Sequence, residues 1–191
     1  APESTVLATP VWISRGTAEY RRVSVALFLA GFATFSLLYC VQPLLPELAR
    51  TFAVSPAQSA LALSVSTACL AVSIVLAGAL SEGLGRRKLM FVSMALAALC
   101  NLGASFLPQW HALLAARALE GLLLGGVPAV AMAYLSEEID PPGLGFAMGL
   151  YVGGTALGGM LGRVGMSAMT EFWGWRHALA ALSVLDLLAA L

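Results

Sequence analysis

Six runs of about twenty predominantly apolar residues follow one another along the chain, at 23–42, 57–80, 89–107, 111–135, 144–169 and 177–191. Coiled as α-helix at about 1.5 Å per residue, a run of that length matches the roughly 30 Å hydrocarbon core of a bilayer. Transmembrane barrel strands need only about 9–11 residues and alternate polar with apolar positions, and these runs do not alternate. Composition closes off a soluble globule: 60% of the 191 residues are hydrophobic and 10% are charged, against roughly 25% charged in soluble domains. The chain is therefore expected to be an all-α integral membrane protein whose apolar side chains are accepted by the lipid bilayer.

Punctuation between the runs agrees with the cuts. Gln42-Pro43-Leu44-Leu45-Pro46 closes the first run, Ser55-Pro56 opens the second, Pro108-Gln109 parts the third from the fourth, and Pro141-Pro142-Gly143 parts the fourth from the fifth. Short connections place neighbouring helices antiparallel in one domain. Residues 1–20 read as a solvated N-terminal lead and 21–191 as a six-helix transmembrane bundle. Arg21 and Arg22 beside the first run do not make it a signal peptide, because the run is too long for an h-region and no A-x-A-like site follows.

Several function classes fall away. Formal net charge is zero, and nucleic-acid binding needs clustered Lys and Arg. Cys40, Cys69 and Cys100 sit singly inside apolar runs without C-x-x-C spacing, so they behave as small hydrophobes, and the residues call for no metal and no cofactor. An intramembrane enzyme would need a nucleophile or zinc motif, yet the chain has no H-E-x-x-H and no G-x-S-G followed by a membrane His. His111 and His177 stand at helix ends, an interfacial position.

Positive charge orients the bundle. Arg15, Arg21 and Arg22 precede the first run and Arg86, Arg87 and Lys88 fill the second connection, while the first connection holds Arg50 alone. By the positive-inside rule the N-terminus is cytoplasmic. The fourth connection belongs on the same side, although it carries Glu137, Glu138 and Asp140 and no basic residue.

The second connection is the most specific feature. Gly78 allows close helix approach, Gly85 permits a sharp turn, and the basic residues hold that turn in the cytoplasm. The string resembles the G-x-L-a-D-r-x-G-r-k signature of the major facilitator superfamily through Gly78, Leu80, Gly85, Arg86 and Arg87, with Glu82 for the usual Asp and Gly83 for the frequent Arg. Leu113, Arg117, Glu120 and Gly121 resemble the family's L-x-x-x-R-x-x-q-G pattern. Gly154-Thr155-Ala156-Leu157-Gly158-Gly159 resembles its antiporter motif G-P-x-x-G-G, with Thr155 for Pro. Tyr39 to Pro46 is similar to bacterial efflux members of the arabinose efflux permease type. The resemblance implies six helices in two inverted three-helix repeats, the N-terminal half of the family's fold, and a conformational gate at Glu82 that meets the C-terminal half. Gly78-x-Leu80 with Gly85-Arg86-Arg87 echoes Gly159-x-Leu161 with Gly174-Trp175-Arg176, as such repeats would.

Gly149, Gly153, Gly154, Gly158, Gly159, Gly162 and Gly165 include small-xxx-small spacings, which most often serve helix packing in lipid. Ionisable residues inside spans are costly and so point to function: Arg117, Glu120, Arg163 and Asp186 qualify. Arg117 lies about 9 Å and Glu120 about 13 Å into their helix, and Asp186 reaches a similar depth. Arg163 sits near a helix end, where its long side chain snorkels. Arg117 and Glu120, at i,i+3, form either a self-neutralising pair or a solute and proton path. On the second reading Glu120 is the expected proton-carrying group.

The last run has 15 residues, about 22 Å of helix, too short to cross comfortably. With Ala1 at the start, this is expected of a partial sequence, the N-terminal half of a protein about twice as long. The expected function is secondary transport of a small organic solute, with protons as the exchanged ion. The alternative is a six-helix scaffold or channel without coupled transport.

Overall fold

The computed structural model describes residues 12–190, the side chains at positions 79–82 and 84 excepted. The first eleven residues of the expected lead lie outside the described residues, as do the side chains of Leu80 and Glu82. Helix α1 (Ala18–Tyr39) passes through a 3-10 turn (Gln42–Leu44) into α2 (Leu45–Phe52), followed by α3 (Pro56–Leu84), α4 (Arg86–Ala104), α5 (Trp110–Leu124), α6 (Pro128–Glu138) and α7 (Pro141–Ala190). Among the described residues, five units are long and apolar enough to cross a membrane: Ala18–Phe52, Pro56–Gly78, Arg86–Ala104, Trp110–Glu138 and Pro141–Ala190. The fifth and sixth runs both fall within the α7 span, which Gly174 (φ 74°, ψ 159°) divides at a kink into two helices.

Local chemistry explains the boundaries. Thr17 caps α1, accepting from Tyr20 N at 3.1 Å, so that helix starts five residues ahead of the first apolar run. Ser55 and Gln58 close a capping box and Pro56 takes the first helical position of α3. Gly85 separates α3 from α4 at φ 81°, ψ 128°, a conformation that a Cβ would strain. Gly174, its counterpart in the sequence echo, has nearly the same φ (74°). A Cβ at Gly78 would meet no described atom within 4 Å.

Two prolines break runs that apolar length alone reads as continuous. Pro43 lacks the N–H that would bond Tyr39 O, so α1 ends and its last carbonyls are freed. Pro128 does the same to the fourth run, splitting it into α5 and α6 across Gly125-Gly126-Val127. Serines from neighbouring helices satisfy the exposed backbone. Ser73 Oγ on α3 donates to Leu122 O, Ser93 Oγ on α4 donates to Leu123 O, and Gly126 N donates to Ser93 Oγ at 3.1 Å. Where no water competes, such replacement partners are what make a broken membrane helix tolerable.

The basic and acidic connections gather at one end of the bundle. Arg86 pairs with Glu137 at 2.5 Å, Ile13 N donates to Glu138 O at 2.7 Å, and Tyr20 Oη donates to Gly143 O at 2.7 Å. The acidic fourth connection, which supplies no positive-inside signal of its own, is thereby tied to the basic second one. At the other end Phe52 packs on Trp110 and Trp175, with centroids 5.7 and 6.0 Å apart.

Helix α7 lies along α1 through glycines four residues apart. A Cβ at Gly154 would stand 2.3 Å from Phe28 O, one at Gly158 2.1 Å from Phe32 O, and one at Gly162 2.8 Å from Ser36 Cα. Gly159 faces the Tyr39 ring (3.2 Å), Thr155 Cγ2 would meet a Cβ at Gly31 at 3.0 Å, and Cβ atoms at Gly149, Gly153 and Gly165 would meet nothing within 4 Å. One stripe, therefore, holds the two backbones together, and the remaining glycines make no such contact.

Candidate functional site

Among the described residues, the buried charged side chains are Arg117, Glu120 and Asp186, at 1%, 0% and 3% exposure. The guanidinium of Arg117 is held by four elements. Its Nη1 pairs with Glu120 Oε2 one turn along α5 and donates to Asn101 Oδ1 of α4 at 3.2 Å. Its Nη2 donates to Leu38 O at 3.0 Å, one of the carbonyls freed where α1 stops before Pro43, and its Nε donates to Ala62 O of α3 at 3.3 Å. The interruption of α1 is thus part of the site.

Asn101 carries the network onward. Its Nδ2 donates to Ser183 Oγ of α7 at 3.1 Å and approaches Cys40 Sγ at 3.8 Å. Ser183 lies one turn from Asp186 on the same helix. Among the described residues, three buried oxygens here have no hydrogen-bond partner: Ser36 Oγ, Glu120 Oε1 and Asp186 Oδ2. Helix packing beside the network is close, since a Cβ at Gly121 would stand 2.2 Å from Ser66 O.

Of the residues singled out in the sequence, Arg117, Glu120 and Asp186 come together in this one region. Arg163 does not join them: it is exposed, its Nε donates to Gly159 O at 2.8 Å and its guanidinium lies 4.7 Å from the Tyr39 ring centroid. The glycines of α7 are structural neighbours on the α1 seam, and Arg86 and Arg87 stand at the basic end. Cys40, Cys69 and Cys100 are free thiols. Asn101 is the residue that sequence reasoning missed. Its signal was available, because it is the sole Asn of the chain and sits inside an apolar run. A separate cleft of about 1100 Å³ opens between α1 and α4 at the basic end, lined in part by Arg21, Arg22, Arg87, Lys88, Ala189 and Ala190.

Long apolar helices closed around a buried ionisable network define a polytopic membrane protein whose centre is built for charge, since lipid offers such groups no other home. The chain belongs to the Major Facilitator Superfamily, whose family model matches residues 27–191. Over 180 residues it is 49% identical to the inner membrane transport protein YnfM of Escherichia coli, covering 94% of this chain and 43% of that protein. It is 45% identical over 179 residues to the MFS-type transporter YybF of Bacillus subtilis, covering 94% of this chain and 44% of that one. The chain thus spans less than half the length of these relatives. The fold is also that of a bacterial homologue of the human lysosomal transporter Spinster, solved inward-facing and occupied, with TM-score 0.76 and 18% identity over 92% of this chain and 44% of that one.

Proposed function

We propose that the complete protein exports a small organic solute in exchange for protons by alternating access, in the inner membrane of a bacterium. This chain supplies its N-terminal half, six membrane helices in two inverted repeats. The observation that carries the reading is the network of Arg117, Glu120, Asn101 and Asp186, which keeps ionisable groups deep among apolar helices at a cost that plain scaffolding does not require. The matching positive φ at Gly85 and Gly174 supports the repeats. In this reading the Gly78 to Arg87 connection, Glu82 included, gates the cytoplasmic side against the other half.

Full-length protein in liposomes, given a pH gradient and a panel of small organic solutes, tests the reading. Uphill solute movement that collapses with a protonophore is the expected result. Downhill flux insensitive to the gradient would instead mark a channel, and no flux of any solute would leave a scaffold.

Orientation has its own test. Single cysteines at positions 83–88 of a full-length protein freed of its native thiols should react with an impermeant maleimide in inside-out vesicles and not in intact cells. Labelling from outside intact cells would reverse the bundle.

A further inference from the structure

We propose that an aromatic stripe on α1, ending at the guanidinium of Arg163 on α7, is a binding surface for a small aromatic carboxylate. Its place on a solute path rests on the transporter reading; the binding surface itself stands on the geometry of this half.

Arg163 is exposed on a helix long and apolar enough to cross the membrane, where a charge facing lipid is costly. A snorkelling side chain would reach for the Trp173 end of the helix. Instead Nε of Arg163 donates to Gly159 O at 2.8 Å, one turn back, and the guanidinium lies 4.7 Å from the Tyr39 ring centroid. Tyr39 follows Leu38, whose carbonyl accepts from Arg117, so Arg163 stands at about the depth of the buried network. A cation held there needs water or a counter-charge. Among the described residues no carboxylate pairs with it, and the N–H groups on both Nη atoms have no partner. A planar fork of free donors with one face laid on a ring fits a carboxylate bidentately.

The wall beside that fork is aromatic. Phe28, Phe32, Phe35 and Tyr39 follow one another at steps of four, three and four residues, which places them on one face of α1. From Ala30 to Cys40 every residue is buried except Phe32, Phe35 and Tyr39, so this is the face that the rest of the half leaves open. The rings pair along it, Phe28 with Phe32 at 6.4 Å and Phe35 with Tyr39 at 6.1 Å between centroids. A narrow apolar wall with a single cation at its end is complementary to a flat apolar body carrying one anionic head, and ring faces and edges favour an aromatic body over an aliphatic one. A phospholipid does not fit, because its phosphate belongs at the membrane surface and not at the depth of Arg117.

Equilibrium binding of tritiated benzoate to purified full-length protein in detergent tests the site apart from transport. Saturable binding is expected, weakened about tenfold or more by Arg163→Gln and less by Arg163→Lys, which keeps the charge and loses the fork. Phe35→Leu should also weaken it, so failure of one variant to fold leaves the other. Cyclohexanecarboxylate, which lacks the flat ring, and benzyl alcohol, which lacks the charge, should compete poorly. Equal competition by either would overturn the proposal, as would binding that neither Arg163→Gln nor Phe35→Leu alters. No saturable binding, with a lower melting temperature for Arg163→Gln, would show that an acid of the other half occupies the guanidinium and would equally overturn it. Benzoate binding of the expected pattern without flux of any solute in liposomes would sink the transporter reading and leave the site standing. Proton-driven flux of another solute without benzoate binding would sink this proposal alone.

Discussion

Replacing Arg117 by Met in the full-length protein is expected to cost about 3–5 kcal/mol of stability, the range for removing one partner of a buried ion pair. The substitution keeps the length of the side chain and removes every polar atom. Glu120 is then left with no cation, and Leu38 O and Asn101 Oδ1 lose their guanidinium donor. Most of the loss is the desolvated carboxylate, so adding Glu120→Leu should restore a large part of it. A thermal-melting double-mutant cycle in detergent reads the coupling directly. Additive losses, or an Arg117→Met protein as stable as the unaltered one, would show that the pair is not the centre of the bundle.

Gly158→Ala is expected to produce the second large effect from a single carbon. Its Cβ would lie 2.1 Å from the carbonyl oxygen of Phe32 and 2.6 Å from its Cα. Backbone cannot swing aside as a flexible side chain can, so α1 and α7 must part along their whole seam, at an overpacking cost of about 1–3 kcal/mol. Gly153→Ala, one position off the stripe, meets nothing within 4 Å and should match or slightly exceed the unaltered protein, because Ala favours helix by up to about 1 kcal/mol. Equal melting temperatures for the two variants would mean that the glycine stripe is not what holds α7 to α1.

Much of this was legible because bilayer thickness converts directly into run length, and the apolar runs correspond to the long helices within a few residues at most ends. Arg117 and Glu120 were legible for a related reason: a charge inside such a run has few affordable partners, and i,i+3 spacing supplied one. The breaks at Pro43 and Pro128 were less so. Hydropathy is blind to a missing N–H, and the repair by Ser73 and Ser93 depends on which helices lie alongside. Asn101 stayed hidden because its meaning comes from being within reach of Arg117 and Ser183 at once, residues 16 and 82 positions away. The form of the junction between the fifth and sixth runs was hidden too, since a single glycine in positive-φ geometry turns the chain between two helices where a loop was expected.

Proton coupling through this network is the central claim, and Glu120→Gln reaches it most directly. Gln at this position still accepts a hydrogen bond from Arg117 but no longer balances its charge. The substitution thereby removes one of the two buried carboxylates on which the proposed proton exchange depends. In liposomes containing the full-length protein, with a solute found by the transport screen, the Glu120→Gln variant should exchange that solute down its own gradient and fail to drive it uphill when a pH gradient is imposed. Uphill transport from the pH gradient at the unaltered protein's rate would contradict the account and reduce Glu120 to a structural partner of Arg117.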